Sequence, residues 1–222
     1  MIRVKAIQGQ AERAYSFREE ILHASTHGLG AVLAVAACVF LVMKAEGALA
    51  VAAVSVYAAS MMMMFLSSTL YHSSFKTRFQ RFFKMLDHVS IYFKIAGSYT
   101  PFALISLPST TGLWVVVGVW GAAATGTGFK LFAYLKPQAR RIKGVSLAMY
   151  LLMGWAAVLM VVPLSAAIPA VGLYWLIAGG LFYTGGAVFY ALHSIAYFHA
   201  VWHVFVMAGS ACHFVAIYFY VL

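Results

Sequence analysis

Residues 144–222 read GVSLAMYLLMGWAAVLMVVPLSAAIPAVGLYWLIAGGLFYTGGAVFYALHSIAYFHAVWHVFVMAGSACHFVAIYFYVL, and this stretch decides the fold. It runs for 79 residues without one Lys, Arg, Asp or Glu. As unbroken helix it would extend about 120 Å. The hydrocarbon core of a bilayer is about 30 Å thick, so three spans and two turns account for it. Pro163 to Pro169 supplies the first turn, and His193-Ser194 marks the second. Helices in soluble cores rarely exceed about 20 residues, which excludes a soluble reading of so long an uncharged run.

Working outward toward the N-terminus, residues 21–43 and 47–75 are also uncharged and give helices 1 and 2, separated by Lys44 and Glu46. A basic link with Lys76, Arg78, Arg81 and Lys84 follows. Helix 3 is expected from about Met85 to Leu104, carrying Asp87 and Lys94, with Pro101 set to kink or end it. Ser106 to Gly112 reads as a neutral turn and Leu113–Phe132 as helix 4. A second basic link holds Lys130, Lys136, Arg140, Arg141 and Lys143. The expectation is an all-α, seven-transmembrane bundle over residues 21–222, preceded by a cytoplasmic segment over residues 1–20. That segment lacks the apolar core of a signal peptide.

Composition agrees. Of 222 residues, 64% are hydrophobic and only 9% charged, against roughly a quarter in soluble domains. This excludes a soluble enzyme, a disordered tail and a nucleic-acid binder. The formal charge of +10 is mainly a topology signal. Four Lys/Arg precede helix 1, four lie between helices 2 and 3, and five between helices 4 and 5. These make thirteen of the fifteen. The positive-inside rule then puts the N-terminus in the cytoplasm and the C-terminus outside, in a cell membrane, for a bacterium the inner one. That orientation is opposite to G-protein-coupled receptors, and the last helix has no lysine for a retinal Schiff base. Cys38 and Cys212 lie in apolar stretches and give no disulfide framework.

Ionisable side chains inside spans are rare and usually functional. His199-Ala-Val-Trp-His203 places two histidines one turn apart on one face of helix 7, a spacing suited to one metal ion. Helix 2 ends in Ser68-Thr-Leu-Tyr-His72, and helix 3 opens with Asp87-His88. The orientation brings His72, Asp87, His199 and His203 into the same cytoplasmic layer. Three His make a site with a fourth position open, and zinc suits imidazole ligands best. Two roles are open to Asp87: exchanging a proton with water at the metal or orienting a His, or serving as a charge favoured by the helix N-terminus. Ser68 either bonds water near His72 or bonds only its own backbone. Lys94 lies seven residues beyond Asp87, about 10 Å along the same face. It meets a lipid headgroup, or else forms a salt bridge or snorkels. Ser210 and His213 share the face of His199 and His203, and with Lys94 they are candidates for lining a polar cavity, His213 being equally open to a packed helix–helix contact. Glu20, His23 and His27 sit at the start of helix 1. They cap the site or lie at the interface, and are not taken as metal ligands.

The ordered set Glu19-Glu20-x-x-His23-x-x-x-His27-Gly28, Ser67-Ser-Thr-Leu-Tyr-His72, Leu86-Asp87-His88, Gly97-Ser-Tyr-Thr-Pro101 and His199-x-x-x-His203 resembles the hemolysin III branch of the PAQR family. That family contains the adiponectin receptors and is similar to the alkaline ceramidases. The resemblance covers essentially the whole chain. It departs at His23, where the family usually has Asn. It implies seven helices, an inside N-terminus and a zinc held by three His. Carried over, these are His72, His199 and His203, with Asp87 and Ser68 beside the bound water.

Three functions follow as expectations. The first is a zinc-dependent hydrolase of a lipid amide, or of an ester, whose substrate enters sideways from the bilayer. The second is a non-enzymatic lipid-sensing or membrane-homeostasis protein with structural zinc. The third is a cytolysin or channel, disfavoured because the outer halves of the helices are apolar.

Overall fold

The computed structural model describes residues 14–136 and 143–222. Arg3, Lys5, Arg13, Arg140 and Arg141, which enter the charge count above, lie outside the described residues. All regular structure among the described residues is helical. The helices are α1 (Phe17–Lys44), α2 (Gly47–Ser73), α3 (Gln80–Pro101), α4 (Ser109–Leu135), α5 (Lys143–Trp155), α6 (Val161–Ala167), α7 (Ala170–Ala191) and α8 (Phe198–Tyr220).

Local chemistry sets the ends. The Ser16 hydroxyl accepts the Glu19 amide and the Glu19 carboxylate accepts the Ser16 amide at 3.0 Å, a reciprocal cap. The cap draws Arg18, Glu19 and Glu20 into α1, which therefore starts four residues before the uncharged run. α3 likewise begins at Gln80, within the basic link, not at Met85. Pro101 ends α3, and the chain continues as a π-helical stretch, Phe102–Ser106, where the missing proline donor has loosened the ladder.

Pro163 is not in a turn. It lies inside α6, directly after a 3₁₀ stretch (Ala156–Met160) that joins α5 to α6, so its missing N–H falls in the first turn, where no helical bond is lost. The actual turn is Ile168-Pro169, and the second turn falls between Ala191 and Phe198, around His193-Ser194.

Among the described residues, six helical runs are long and apolar enough to cross a membrane: α1, α2, α4, the joined α5–α6, α7 and α8. Leu159, Val162 and Trp114 are 84%, 79% and 69% exposed, an exterior suited to acyl chains and not to water. This is a multi-pass membrane protein. α3 is more polar, with Arg81, Lys84, Asp87 and Lys94, and packs between α2 and α4.

Small residues bring the central helices together, as expected where lipid removes the hydrophobic driving force. A Cβ on Gly97 of α3 would lie 2.0 Å from Ser60 Oγ of α2. Where α7 crosses α8, a Cβ on either Gly179 or Gly209 would sit 3.1 Å from the other's carbonyl oxygen. Tyr57, Tyr92, Phe102, Leu164 and Ile217 fill the core.

Candidate metal centre

The N-terminal ends of α1, α3 and α8 and the C-terminal end of α2 meet at one end of the bundle. Glu19 holds two of them in register. One of its oxygens serves the α1 cap, and the other accepts the Tyr197 amide at 3.0 Å. Tyr197 has a φ of 64°, a left-handed turn that aims this amide at α1 as α8 begins.

Three imidazoles converge there. His199 Nε2 is 3.3 Å from His72 Nε2 and 3.2 Å from His203 Nε2. All three side chains are buried. The neighbours of the other ring nitrogens fix the tautomers. The Glu20 carboxylate accepts from His72 Nδ1 at 2.6 Å. The Thr26 hydroxyl lies 2.9 Å from Leu22 O and 3.0 Å from His23 O, so its proton is engaged by backbone. His203 Nδ1, 3.0 Å from that hydroxyl, must then donate to it. Both His72 and His203 therefore turn a bare Nε2 lone pair toward His199 Nε2. A neutral His199 has one proton, which can satisfy at most one of them, and its Nδ1 has no partner among the described residues.

A shared cation satisfies all three. With Zn–N bonds of about 2.0–2.1 Å, two ligands at a tetrahedral angle lie about 3.3–3.4 Å apart, which is the spacing found. Soft sulfur and hard oxygen-loving metals suit this all-imidazole set less well. The residues fit zinc.

Asp87 is half-buried on α3, beside Ser68 and His72. Ser68 is buried. The neighbouring Ser67 hydroxyl donates to Ser90 Oγ at 2.8 Å and fixes α2 against α3 at this level. His88 is turned away: its Nδ1 lies 2.5 Å from Lys84 O. His193 sits in the α7–α8 turn against Tyr190 O.

Lys94, Ser210 and His213 lie deeper in the bundle. Lys94 is buried and donates to Ser98 Oγ at 2.7 Å. Its cation stands 4.9 Å from the Tyr57 ring and 5.6 Å from the Tyr183 ring, and no carboxylate among the described residues pairs with it. Tyr183 also contacts Ser210 Oγ at 2.9 Å. His213 bonds the Leu176 carbonyl of α7 at 3.3 Å. Lys94 and His213 line a cavity of about 180 Å³ between α3, α5, α6, α7 and α8, and Ser210 touches it through Tyr183. The cavity is otherwise mostly apolar, and Tyr190 at its wall has its ring 6.3 Å from that of His199.

The sequence reading left out Thr26, which braces His203, and Tyr15, stacked on His199 with ring centres 5.2 Å apart; it placed Glu20 and His23 as a cap or at the interface, whereas Glu20 braces His72. His23 packs among the three convergent rings, and His23, His72 and His199 form a buried group able to hold a metal.

A haemolysin-III-related family profile matches residues 15–214. The chain belongs to the haemolysin-III-related, or PAQR, family. Within it, the chain is similar to Hemolysin-3 of Bacillus cereus, at 39% identity over 92% of this chain and 93% of that one. It is 38% identical to the Hemolysin-3 homolog of Bacillus subtilis (strain 168), over 93% and 96% of the two chains. The human monocyte to macrophage differentiation factor is 32% identical over 74% of this chain and 68% of its own. The match spans every helix that contributes to the His cluster, so the centre lies within the family's shared region.

Proposed function

We propose that this haemolysin-III-related protein is a zinc-dependent membrane hydrolase acting on a lipid amide, with a lipid ester as the neighbouring substrate class. The observation that carries the reading is the pair of Nε2 atoms, of His72 and His203, turned toward His199 Nε2 at 3.3 and 3.2 Å, each with the far side of its ring braced. His72, His199 and His203 would hold the ion. Zinc at such a site polarises a carbonyl and makes a nearby water acidic near pH 7.

The chain's own groups supply the rest. Asp87 takes a proton from the attacking water and returns it to the leaving nitrogen or oxygen. Ser68, next to it, steadies that carboxylate. Glu20 and Thr26 keep the ligand rings in the required tautomer and orientation. The apolar cavity takes an acyl chain and presents its carbonyl at the His199 end. Lys94, with Ser98, meets a polar or anionic group of the lipid. The bundle has seven spans, α3 included, with the metal end cytoplasmic. α3 is supported as a span by its place between α2 and α4 and by the basic residues flanking it.

Crowding by His23 favours a second reading, a lipid sensor with structural zinc. The names of the two Bacillus relatives keep a cytolysin in view. The mostly apolar cavity argues against a pore.

Purified protein should carry about one zinc per chain. His72→Ala and His203→Ala should lose most of it, and His193→Ala should not. Fatty-acid release from ceramide and other amide and ester lipids in nanodiscs should require zinc. Equal zinc in all three variants would sink the site, and no zinc-dependent release across the panel would leave the sensor. A reporter fused at Leu222 should read outside the cytoplasm.

A further inference from the structure

His23 is fully buried, with 0% exposure, and neither of its ring nitrogens has a hydrogen-bond partner among the described residues. Buried polar atoms are nearly always paired, because leaving one unpaired costs about 1–3 kcal/mol. The surroundings explain this exception. The His23 ring centre lies 4.6 Å from that of His72, 4.8 Å from His199 and 5.3 Å from His203. Among themselves those three rings are 5.2, 5.3 and 4.7 Å apart. All six separations are nearly equal, so the four rings occupy the corners of an almost regular tetrahedron. An imidazole bound through one nitrogen holds its ring centre about 3.2 Å from zinc, and four such rings at tetrahedral angles sit about 5.2 Å apart.

We propose that in the resting protein His23 is a fourth metal ligand, completing a four-imidazole site with His72, His199 and His203. This rests on the metal reading above. His27 does not compete for the corner: it is stacked flat on His203, with ring centres 3.6 Å apart and planes 10° apart.

The fourth ligand differs from two of the others in its support. His72 is braced by Glu20 at 2.6 Å and His203 by Thr26 at 3.0 Å. Among the described residues, the nearest carboxylate oxygen paired with His23 is Glu20 Oε2, at 4.0 Å from Nδ1. A ligand without an outer hydrogen bond is the less basic and the less fixed. His199 shares that lack, but its Nε2 is held between those of His72 and His203 at 3.3 and 3.2 Å, so His23 is the ligand that leaves when a substrate carbonyl needs its position. Because it rides on α1, the first turns of α1 act as the gate of the site. Four protein ligands make a closed centre, and three make an open one.

Zinc K-edge X-ray absorption on the full chain in nanodiscs tests this. Wild type should fit four imidazoles. His23→Asn should keep about one zinc per chain, fit three imidazoles, and give the metal up to a chelator about 10-fold faster. Cobalt substitution should shift the visible ligand-field spectrum between the two proteins. A three-imidazole wild type that His23→Asn leaves unchanged overturns the proposal and spares the three-His centre. A wild type that binds no zinc overturns both. If His23→Asn fails to fold, the wild-type ligand count alone decides.

Discussion

α8 and α4 are both long helices of this bundle, yet they are buried in opposite ways. α8 buries His199, His203, Val206, Ser210, His213 and Ile217, so one face is chemistry and packing from end to end. α4 is longer, and its only buried residues are Gly112, Ala123 and Gly126. Its large side chains, such as Trp114 and Phe132, point outward. The difference divides the molecule. α1, α2, α3, α7 and α8 form a densely packed hub, pinned by the Gly97–Ser60 and Gly179–Gly209 approaches. α4, α5 and α6 form a thinner wall against the hub, and the cavity lies where α5 and α6 meet α7. The convergent imidazoles are held in the hub, and on the proposed reading an acyl chain enters at the wall.

The comparison breaks most visibly in turnover. Asp87→Asn in the hub should keep zinc and lose about 10²-fold or more in zinc-dependent lipid hydrolysis, the scale of a lost general base. Trp114→Leu on the wall should leave the rate within about twofold, in keeping with the small effect of surface changes. Equal losses in both would mean that the wall shapes the site.

Metal affinity gives the next effect. Glu20→Ala and Thr26→Val remove braces from His72 and His203, and each should weaken zinc binding by about 10- to 100-fold in a chelator competition. Retained affinity in both would show that the rings are held by packing alone.

Thermal stability gives the smallest. Gly97→Ala forces a Cβ onto Ser60, whereas a Cβ on Gly118 of α4 meets nothing within 4 Å. Gly97→Ala should lower the melting temperature by several degrees, as an overpacked core contact does. Gly118→Ala should leave it equal or slightly higher, since alanine is the better helix former by about 0.5–1 kcal/mol.

Much of this arrangement is legible from the residues. The uncharged runs reveal α1, α2, α4, α7 and α8, because a bilayer forces both length and composition. The pair His199 and His203, one turn apart, and His72 at the same depth foretell the convergence, because helix periodicity and alternating direction are enough to place them. The helix starts are less legible. Charged residues are excluded only from the hydrocarbon layer, so α1 and α3 continue into segments that polarity alone reads as links. His23 illustrates the main difficulty. Its spacing from Glu20 and His27 gives its face on α1, but the rotation of α1 against α8 is set by contacts such as Glu19 to Tyr197, 178 residues apart. The available signal was a second one-turn His pair, His23 and His27, at the same membrane depth as the first.

The contacts from Glu19 to Tyr197 and from Thr26 to His203 also impose an order on biogenesis. They join the first described helix to the last, 178 and 177 residues apart. α1 leaves the ribosome before α8, so Glu19, Glu20 and His23 enter the bilayer boundary before their α8 partners have been synthesised. No intermediate lacking α8 can hold these groups in their final arrangement, and a chain truncated before Phe198 lacks two of the convergent imidazoles. On the proposed metal reading, loading is thus a late event that reports completed insertion. The same contacts that orient the rings act as the clasp by which the bundle closes on itself.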